Sequence, residues 1–303
     1  LQRIKDLYET DQTQSFVSKH VTPEGKEKWI QTVLTPIIFH EHKYEQLIAV
    51  ETDITRIKEA EEEIIIQKEN TDKLLKNILP EEIAEELKSK GFATPRYYKS
   101  VTVLFADVKD FSKYCQSLTP QQLLHELHEY FNEFDEIIKQ NYVEKIKTVG
   151  DAYMCVGGVP VSNSSHAFNT LLVGLQIQKK AHEINQRKVN EGRLAWEFRV
   201  GLHTGEIISG VIGKQKFAYD VWGDTVNIAS RMESSCDPGR VNISGSTYKM
   251  IKDYFECEYR GKQEIKNRGM FDMYFVNRIK TEYSQNGDGI TPNESFKQFL
   301  AEL

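Results

Sequence analysis

The sequence contains few of the residues that mark disulfide-rich or zinc-binding proteins. Its 303 residues include four cysteines, and no two of them form a CxxC pair. The segment HELHE, with His125 and His128, is not the HExxH zinc motif, because its histidines are three residues apart and its glutamates are misplaced. Scattered cysteines are typical of reduced thiols, so the pattern predicts a cytoplasmic protein.

The sequence also lacks an excess of basic residues, a long apolar run and a signal peptide. Its formal net charge is −6, which argues against a nucleic-acid-binding face. No apolar run approaches the roughly 20 residues of a membrane-spanning helix, so we expect this piece to be soluble. Because it begins at Leu1 without a methionine, we expect it to be part of a longer chain, whose attachment to a membrane stays open.

The most informative stretch of the sequence runs from residue 101 to residue 154. An apolar run predicts a strand that ends at Asp107, and a later hairpin carries Gly150 and Asp151 in its turn. Between them, Thr119-Pro-Gln-Gln122 predicts a helix start with a capping box. This order places both aspartates on neighbouring strand ends, where they could hold divalent cations. The alternative is that each aspartate only ends a strand or begins a turn.

Three segments carry a family resemblance: FADVKDFS at 105–112, KIKTVGDAYM at 145–154 and WGDTVNIASRM at 222–232. They resemble the catalytic domains of class III nucleotide cyclases, the adenylyl and guanylyl cyclase family, over roughly residues 96–280. The order of the predicted elements indicates an α+β fold with a mostly antiparallel sheet. The resemblance implies that this fold is the ferredoxin-like palm of the cyclases.

The resemblance implies attack of a ribose 3′-hydroxyl on the α-phosphate of the same nucleoside triphosphate. Asp107, Asp151 and the backbone carbonyl of Val108 would hold two Mg²⁺ or Mn²⁺ ions per active site. The turn that contains Phe111 and Ser112 would direct amide groups at phosphate oxygens.

The resemblance also assigns four residues to the ribose and the phosphates. Asn227 and Arg231, four apart on one predicted helix, would orient the ribose and neutralise the α-phosphate in the transition state. Arg199 and Lys266 match positions that hold the β- and γ-phosphates. The chain departs from the usual pattern at Asp110, where the family commonly has glycine. Asp tolerates the positive φ that such a position would need.

Two residues predict the base. A carboxylate at Asp220 can accept from the exocyclic amine of adenine, and Lys147 can donate to adenine N1 or hold Asp220 in place. Relatives that use GTP commonly carry Glu and Cys at these two positions, so the substrate prediction is ATP and the activity prediction is adenylate cyclase. The alternatives are a guanylate cyclase, or a catalytically silent cyclase-like module for nucleotide binding or dimerisation.

The resemblance further implies a head-to-tail homodimer with shared sites. The metal aspartates and Arg199 would act from one subunit. The remaining groups would come from its partner: Lys147, Asp220, Asn227, Arg231 and Lys266. A heptad pattern over residues 56–79 predicts a parallel coiled coil between the subunits, and a monomeric amphipathic helix is the alternative.

Four regions are predicted along the chain. Residues 1–55 resemble the C-terminal half of a PAS sensor domain, with a plain β-meander as the alternative. Residues 56–95 form a helical linker, residues 96–280 the cyclase domain, and residues 281–303 a polar tail. An upstream sensor domain is expected in the full-length chain.

Overall fold

The computed structural model describes residues 12–39, 43–213, 216–265 and 268–303. Its residues cluster into two compact units, Leu1–Asn77 and Ile78–Leu303. No helix among the described residues is long and apolar enough to cross a membrane.

The described residues of the first unit form a three-stranded antiparallel sheet and one long helix. Strands β1 (Gln14–Val21), β2 (Glu27–Phe39) and β3 (Lys43–Asp53) pair in the order β1-β2-β3, and helix α1 (Thr55–Lys76) follows. A turn joins β1 to β2, in which the Lys26 carbonyl accepts from the amide of Thr22 and Gly25 adopts φ +79°. Pro23 and Gly25, two residues typical of turns, both lie in this connection.

Helix α1 has no buried residue. Its apolar side chains Ile57, Ile64 and Leu74 are 59%, 65% and 65% exposed. All three belong to the predicted heptad pattern. The helix ends at Lys76, so Ile78, the last position of that pattern, lies beyond it.

In the described part of the second unit, an eight-stranded sheet forms the centre. Its strands are β4 (Arg96–Val108), β5 (Val143–Val149), β6 (Ala152–Gly157), β7 (Phe198–Ile212), β8 (Ala218–Trp222), β9 (Val241–Ser244), β10 (Phe255–Ile265) and β11 (Gly269–Ile279). Strand pairing follows the order β10-β11-β9-β7-β4-β6-β5, with β8 paired to β7. All these pairs are antiparallel except β7 with β9, which confirms the predicted α+β fold with a mostly antiparallel sheet.

Among the residues that the structure describes, seven α-helices accompany this sheet. They are α2 (Glu81–Lys90), α3 (Phe111–Ser117), α4 (Pro120–Gln140), α5 (His166–Asn190), α6 (Asp224–Ser234), α7 (Gly245–Ile251) and α8 (Glu294–Glu302). The predicted capping box begins α4: Thr119 Oγ1 accepts from the amide of Gln122, whose Oε1 accepts from the amide of Thr119.

The two faces of the sheet carry different hydrophobic clusters. Leu104 and Ala106 of β4 pack in the larger cluster with residues of α4, α5, α7 and α8. Val103 and Phe105 point to the opposite face, where they cluster with Ala229 of α6. Because side chains alternate along a strand, Asp107 belongs to the face that α6 partly covers.

One local prediction was wrong. The segment Thr204-Gly-Glu206 has a composition that predicts a hairpin turn between two strands, yet β7 continues through it and pairs with β4 on both sides of Gly205. A Cβ at Gly205 would lie 2.5 Å from Thr225 Oγ1, so this glycine permits the close approach of α6 to the strand.

The C-terminal segment, predicted as a polar tail, packs on the core. Phe296 of α8 is 1% exposed and belongs to the larger cluster. Asn293 caps the helix, since its Oδ1 accepts from the amide of Phe296 at 3.0 Å. The segment contains few apolar residues, which explains why its composition resembles a tail, but Tyr283, Ile290, Phe299 and Leu300 also pack against the larger cluster.

Candidate active site

Asp107 and Asp151 lie at the same end of the sheet. Asp107 is the penultimate residue of β4. Asp151 lies in the turn between β5 and β6, and β6 is the strand that pairs with β4. Gly150 allows the tight turn with φ +63°. Burial and the nearby charge of Asp107 raise the pKa of Asp151. The predicted pair of carboxylates is thus brought together.

Two close carboxylates fit a hard divalent cation, because a positive charge between them would relieve their repulsion. Within the described ranges, no group of three or more acidic, cysteine or histidine side chains has the geometry of a metal site. Further oxygen ligands would therefore come from the backbone, the substrate or water, which is common for Mg²⁺. Val108, whose carbonyl is the predicted third ligand, is buried at the end of β4.

Arg199 bridges Asp107 to a second carboxylate. It is the β7 residue paired with Asp107 across the two strands, and its Nη2 donates to Asp107 Oδ2 at 2.7 Å. Its Nε lies 2.8 Å from Glu233 Oε1 at the end of α6. Burial and the charge of Asp107 raise the pKa of Glu233 to about 7. The guanidinium of Arg199 therefore contacts two carboxylates, those of Asp107 and Glu233.

The turn after β4 has the backbone that the sequence suggested. Asp110 adopts φ +56° and ψ +32°, the left-handed conformation in which glycine is the common residue. Its Oδ2 accepts from Lys113 Nζ at 2.7 Å, so the extra carboxylate is paired. Phe111 begins α3 and packs edge-to-face on Trp196, with ring centroids 5.9 Å apart, whereas Ser112 is exposed.

The two residues predicted to read the base are in contact. Lys147 Nζ of β5 donates to Asp220 Oδ2 of β8 at 2.5 Å. Asp220 Oδ1 also accepts from the amide of Val221 at 2.9 Å, which fixes the carboxylate on the strand. The side chains are 43% and 19% exposed, so the pair is open to a ligand.

Asn227 and Arg231 occupy the exposed side of α6. Neither side chain has a hydrogen bond or ion pair to any residue that the structure describes. Glu233, two positions after Arg231, is about 200° further around the helix and buried against Arg199. The Asn227–Arg231 face of α6 thus turns away from the Arg199 contact of its own chain.

Two further points concern the predicted set. Lys266 lies outside the described residues. Glu233 was missed, although a signal was present: it is an acidic residue on the apolar side of α6, in phase with Ala229 and Met232. A buried acid on such a face is rare unless it is paired.

Comparison with known proteins agrees with this fold. Residues 94–278 match the family described as "Adenylate and Guanylate cyclase catalytic domain". The chain is 36% identical over 214 residues to guanylate cyclase soluble subunit beta-2 of Rattus norvegicus, covering 70% of this chain and 31% of that protein. It is also 36% identical over 210 residues to an adenylate cyclase of Mycobacterium tuberculosis (strain ATCC 25618 / H37Rv), covering 69% of this chain and 46% of that protein.

A solved structure is similar as well. The guanylate cyclase domain of RhGC from Catenaria anguillulae, in complex with GTP, superposes with a TM-score of 0.58 at 33% identity, covering 61% of this chain and all of that one. The fold and the site thus define a class III cyclase domain with a palm-type sheet. This chain belongs to the adenylate and guanylate cyclase catalytic domain family. The matched part of the chain spans less than half the length of each of the two curated relatives. One relative is named a guanylate cyclase and the other an adenylate cyclase, and both are 36% identical to this chain.

Proposed function

We propose that the 96–280 domain is an adenylate cyclase, which converts ATP to 3′,5′-cyclic AMP and pyrophosphate. The observation that carries the choice of ATP is the contact between Lys147 Nζ and Asp220 Oδ2. The contact leaves a carboxylate that can accept from the adenine amine, beside an ammonium that can donate to N1. Guanine presents the reverse order, an acceptor O6 beside a donor N1–H, and would be mispaired at both positions.

Positioning and charge stabilisation dominate this kind of phosphoryl chemistry. Asp107, Asp151 and the Val108 carbonyl would hold two Mg²⁺ or Mn²⁺ ions, which supply the charge that activates the 3′-hydroxyl and balances the triphosphate. Arg199 would bind the β- and γ-phosphates while Glu233 keeps its guanidinium in place. The backbone amides of Phe111 and Ser112 would bind phosphate oxygens at the start of α3.

The remaining groups would act from a second copy of the chain. Asn227 would orient the ribose and Arg231 would neutralise charge on the α-phosphate in the transition state. Their exposed, unpartnered position on α6 supports this division, because they turn away from the Arg199 contact in their own chain. Lys147, Asp220 and Lys266 would complete the partner's contribution, giving a head-to-tail homodimer with two equivalent sites.

The first unit would connect the dimer to a signal. Helix α1 exposes Ile57, Ile64 and Leu74, which a parallel coiled coil would cover. Strands β1–β3 followed by this helix are consistent with the C-terminal half of a PAS-like sensor domain and its exit helix. A change in the register of the coiled coil could then alter the shared sites.

The second candidate is a guanylate cyclase, since the guanylate cyclase relative is as similar to this chain as the adenylate cyclase relative, at 36% identity each. A product assay separates the two: the purified chain is incubated with ATP and with GTP, each with Mg²⁺ and with Mn²⁺, and both cyclic nucleotides are measured. Two mispaired groups at about 1 kcal/mol each predict that kcat/KM for ATP exceeds that for GTP about thirtyfold. Equal values, or a preference for GTP, would contradict the choice of ATP. If neither cyclic nucleotide is formed, the silent module is favoured.

A further inference from the structure

Lys188, near the C-terminal end of α5, is a charged side chain that lies entirely inside the protein, with 0% exposed. Its ammonium group pairs with two carboxylates of α4, those of Glu126 and Glu129, the latter at 3.2 Å. Both glutamates also accept from Arg193 Nη2, at 2.9 and 2.6 Å, so each keeps a cationic partner without Lys188. The ion pairs alone therefore do not explain why a lysine is buried at this position.

The Lys188 ammonium also faces two aromatic rings. Its Nζ lies 4.0 Å from the ring centroid of Tyr130 and 5.7 Å from that of Trp196. These two rings are stacked, with centroids 5.8 Å apart and 9° between their planes. A cation at such a distance is attracted to the ring faces, and the attraction is stronger where water is excluded. Lys188 thus stabilises the Tyr130–Trp196 stack.

Trp196 is fixed by its backbone and by its ring contacts. Its amide donates to Tyr130 Oη at 3.2 Å, and its carbonyl accepts from Asn185 Nδ2 at 2.8 Å. Its indole Nε1 is buried and has no hydrogen-bond partner among the residues that the structure describes. The orientation of the indole ring therefore depends on the contacts of its faces and edges, including those with Tyr130 and Lys188.

Trp196 also anchors α3, the short helix that follows the turn after Asp107. The structure describes all seven residues of α3, and five of their side chains are exposed. The other two, Phe111 and Tyr114, both pack on Trp196, with ring centroids 5.9 and 5.2 Å away. Tyr114 Oη also donates to the carbonyl of Ala195 at 3.3 Å. Because α3 has no fully buried side chain, its place depends on the Trp196 ring.

We propose that Lys188 is a positioning residue for the nucleotide site. Its ammonium holds the Tyr130–Trp196 stack, the stack holds α3, and α3 begins with the amides that are proposed to bind phosphate oxygens. A shift of α3 would move these amides relative to Asp107, and a misplaced binding group loses affinity. Lys188 acts through Trp196 and not by contact with the nucleotide. The inference rests on the proposed function in one respect, the binding of phosphate by this turn.

Nucleotides that cannot react test the inference without turnover. The analogues 3′-deoxy-ATP and 3′-deoxy-GTP lack the attacking hydroxyl, and their Kd is measured by calorimetry with Mn²⁺. Lys188→Met keeps the length of the side chain and removes the ammonium. We expect it to raise the Kd of the tighter analogue about fivefold, as the loss of one hydrogen bond does. In the unliganded chain, the amide NMR signals of Phe111 and Ser112 should shift.

Further variants separate positioning from loss of stability. Lys188→Met with Glu126→Gln removes the carboxylate that loses its partner, so stability in denaturant should be regained while binding stays weak. Tyr114→Ala removes a half-buried contact between α3 and Trp196; it should fold, and its effect on Kd should not add to that of Lys188→Met. Phe296→Ala, which opens a cavity at α8 and not at α3, should keep the wild-type Kd.

The inference is overturned if the wild type binds neither analogue, or if Lys188→Met or Tyr114→Ala binds as tightly as the wild type. It is equally overturned if the double variant regains affinity together with stability, or if Phe296→Ala weakens binding to the same extent. If Lys188→Met does not fold, Tyr114→Ala decides. A wild type that binds an analogue but forms no cyclic nucleotide contradicts the proposed function alone, because the Kd values still decide the role of Lys188.

Discussion

Arg199 and Glu233 form a buried ion pair, with 2.8 Å between Nε and Oε1. Neither atom has a hydrogen-bond partner among the described residues, so the contact is electrostatic rather than a well-directed hydrogen bond. The same guanidinium donates to Asp107 through Nη2. If Asp107 binds a cation, Glu233 becomes the remaining anchor of Arg199. Glu233 is therefore a positioning residue for a proposed phosphate-binding side chain.

The first prediction follows from this pair. Glu233→Gln keeps the shape of the side chain and removes its charge, so Arg199 should be held less firmly and KM for the nucleotide should rise about tenfold. We expect kcat to change less, since Glu233 does not touch the reacting atoms. Asp237→Asn, an exposed change just after α6, serves as the control. An unchanged KM in Glu233→Gln would show that the ion pair does not position Arg199.

A second prediction concerns the metal pair. Asp107→Asn and Asp151→Asn should each lower turnover about a hundredfold or more, because each removes a charged oxygen ligand. The fold should persist, since asparagine can still accept from neighbours such as Arg199. Binding of Mn²⁺, followed by its electron paramagnetic resonance signal, should weaken in both variants. Retention of Mn²⁺ affinity together with turnover would remove these residues from the metal site.

Sequence patterns predicted the elements that depend on local chemistry. The capping box at Thr119 and the strand that carries Asp107 near its end depend on residues within a few positions, and both are present. The mistaken turn at Gly205 has a different origin. Its glycine is required by Thr225 of α6, a contact between segments that are distant in sequence.

The same reason explains the two features that sequence reasoning missed. Glu233 acquires its role only when β7 and α6 are packed together, and no local pattern names its partner. The C-terminal segment folds back on the core and buries Phe296 in the larger cluster, although that segment has the composition of a tail. Local patterns specify elements, whereas these features depend on tertiary contacts.

A third prediction tests the shared sites. Equal amounts of Asp107→Ala and Asn227→Ala chains, each inactive alone, should regain up to about a quarter of wild-type activity, because half the dimers then carry one intact site of two. The matched control mixes Asp107→Ala with Asp151→Ala. Both changes fall in the same half-site, so no intact site can form. Recovery in the control, or none in the test mixture despite measured subunit exchange, would contradict the proposed division.

A fourth prediction concerns stability and pH. His166 is buried, with Nδ1 2.9 Å from Thr102 Oγ1, and burial lowers the pKa of His166 to about 4. In the unfolded chain its pKa is about 6.5. The neutral imidazole of His166 therefore contributes its full stabilisation of the folded state above pH 6.5. As pH falls toward 4, this stabilisation is lost, which lowers the free energy of unfolding by about 3 kcal/mol.

The measurement compares denaturant unfolding of wild type and His166→Gln between pH 7 and pH 4.5. The destabilisation caused by the substitution should shrink as pH falls, because the variant has no imidazole to protonate. His203, whose pKa burial also lowers to about 4, titrates in both proteins and cancels in the difference. His182→Gln, an exposed change on α5, should show no such trend. A constant difference would mean that His166 is not held neutral.

The last prediction concerns the base, and the contact between Lys147 and Asp220 makes it a two-step test. Lys147→Glu alone would place two carboxylates where the structure has an ion pair of 2.5 Å, so ATP turnover should be severely reduced. Adding Asp220→Cys removes the second carboxylate, which would repel guanine O6, while the introduced glutamate can accept from guanine N1–H. The double variant should shift its preference toward GTP.

The shift is measured as the ratio of kcat/KM for the two nucleotides. Expressed as a free energy, the change in this ratio should be several kcal/mol at most, since two contacts change. It should exceed the change in either single variant. A control double variant, Lys249→Glu with Asp253→Cys, makes the same changes at exposed positions outside the proposed site and should keep the wild-type ratio. If the Lys147/Asp220 double variant still strongly prefers ATP, or the wild type already prefers GTP, these residues do not read the base. The cyclase family would stand in either case, because it depends on the match over residues 94–278 and not on this pair.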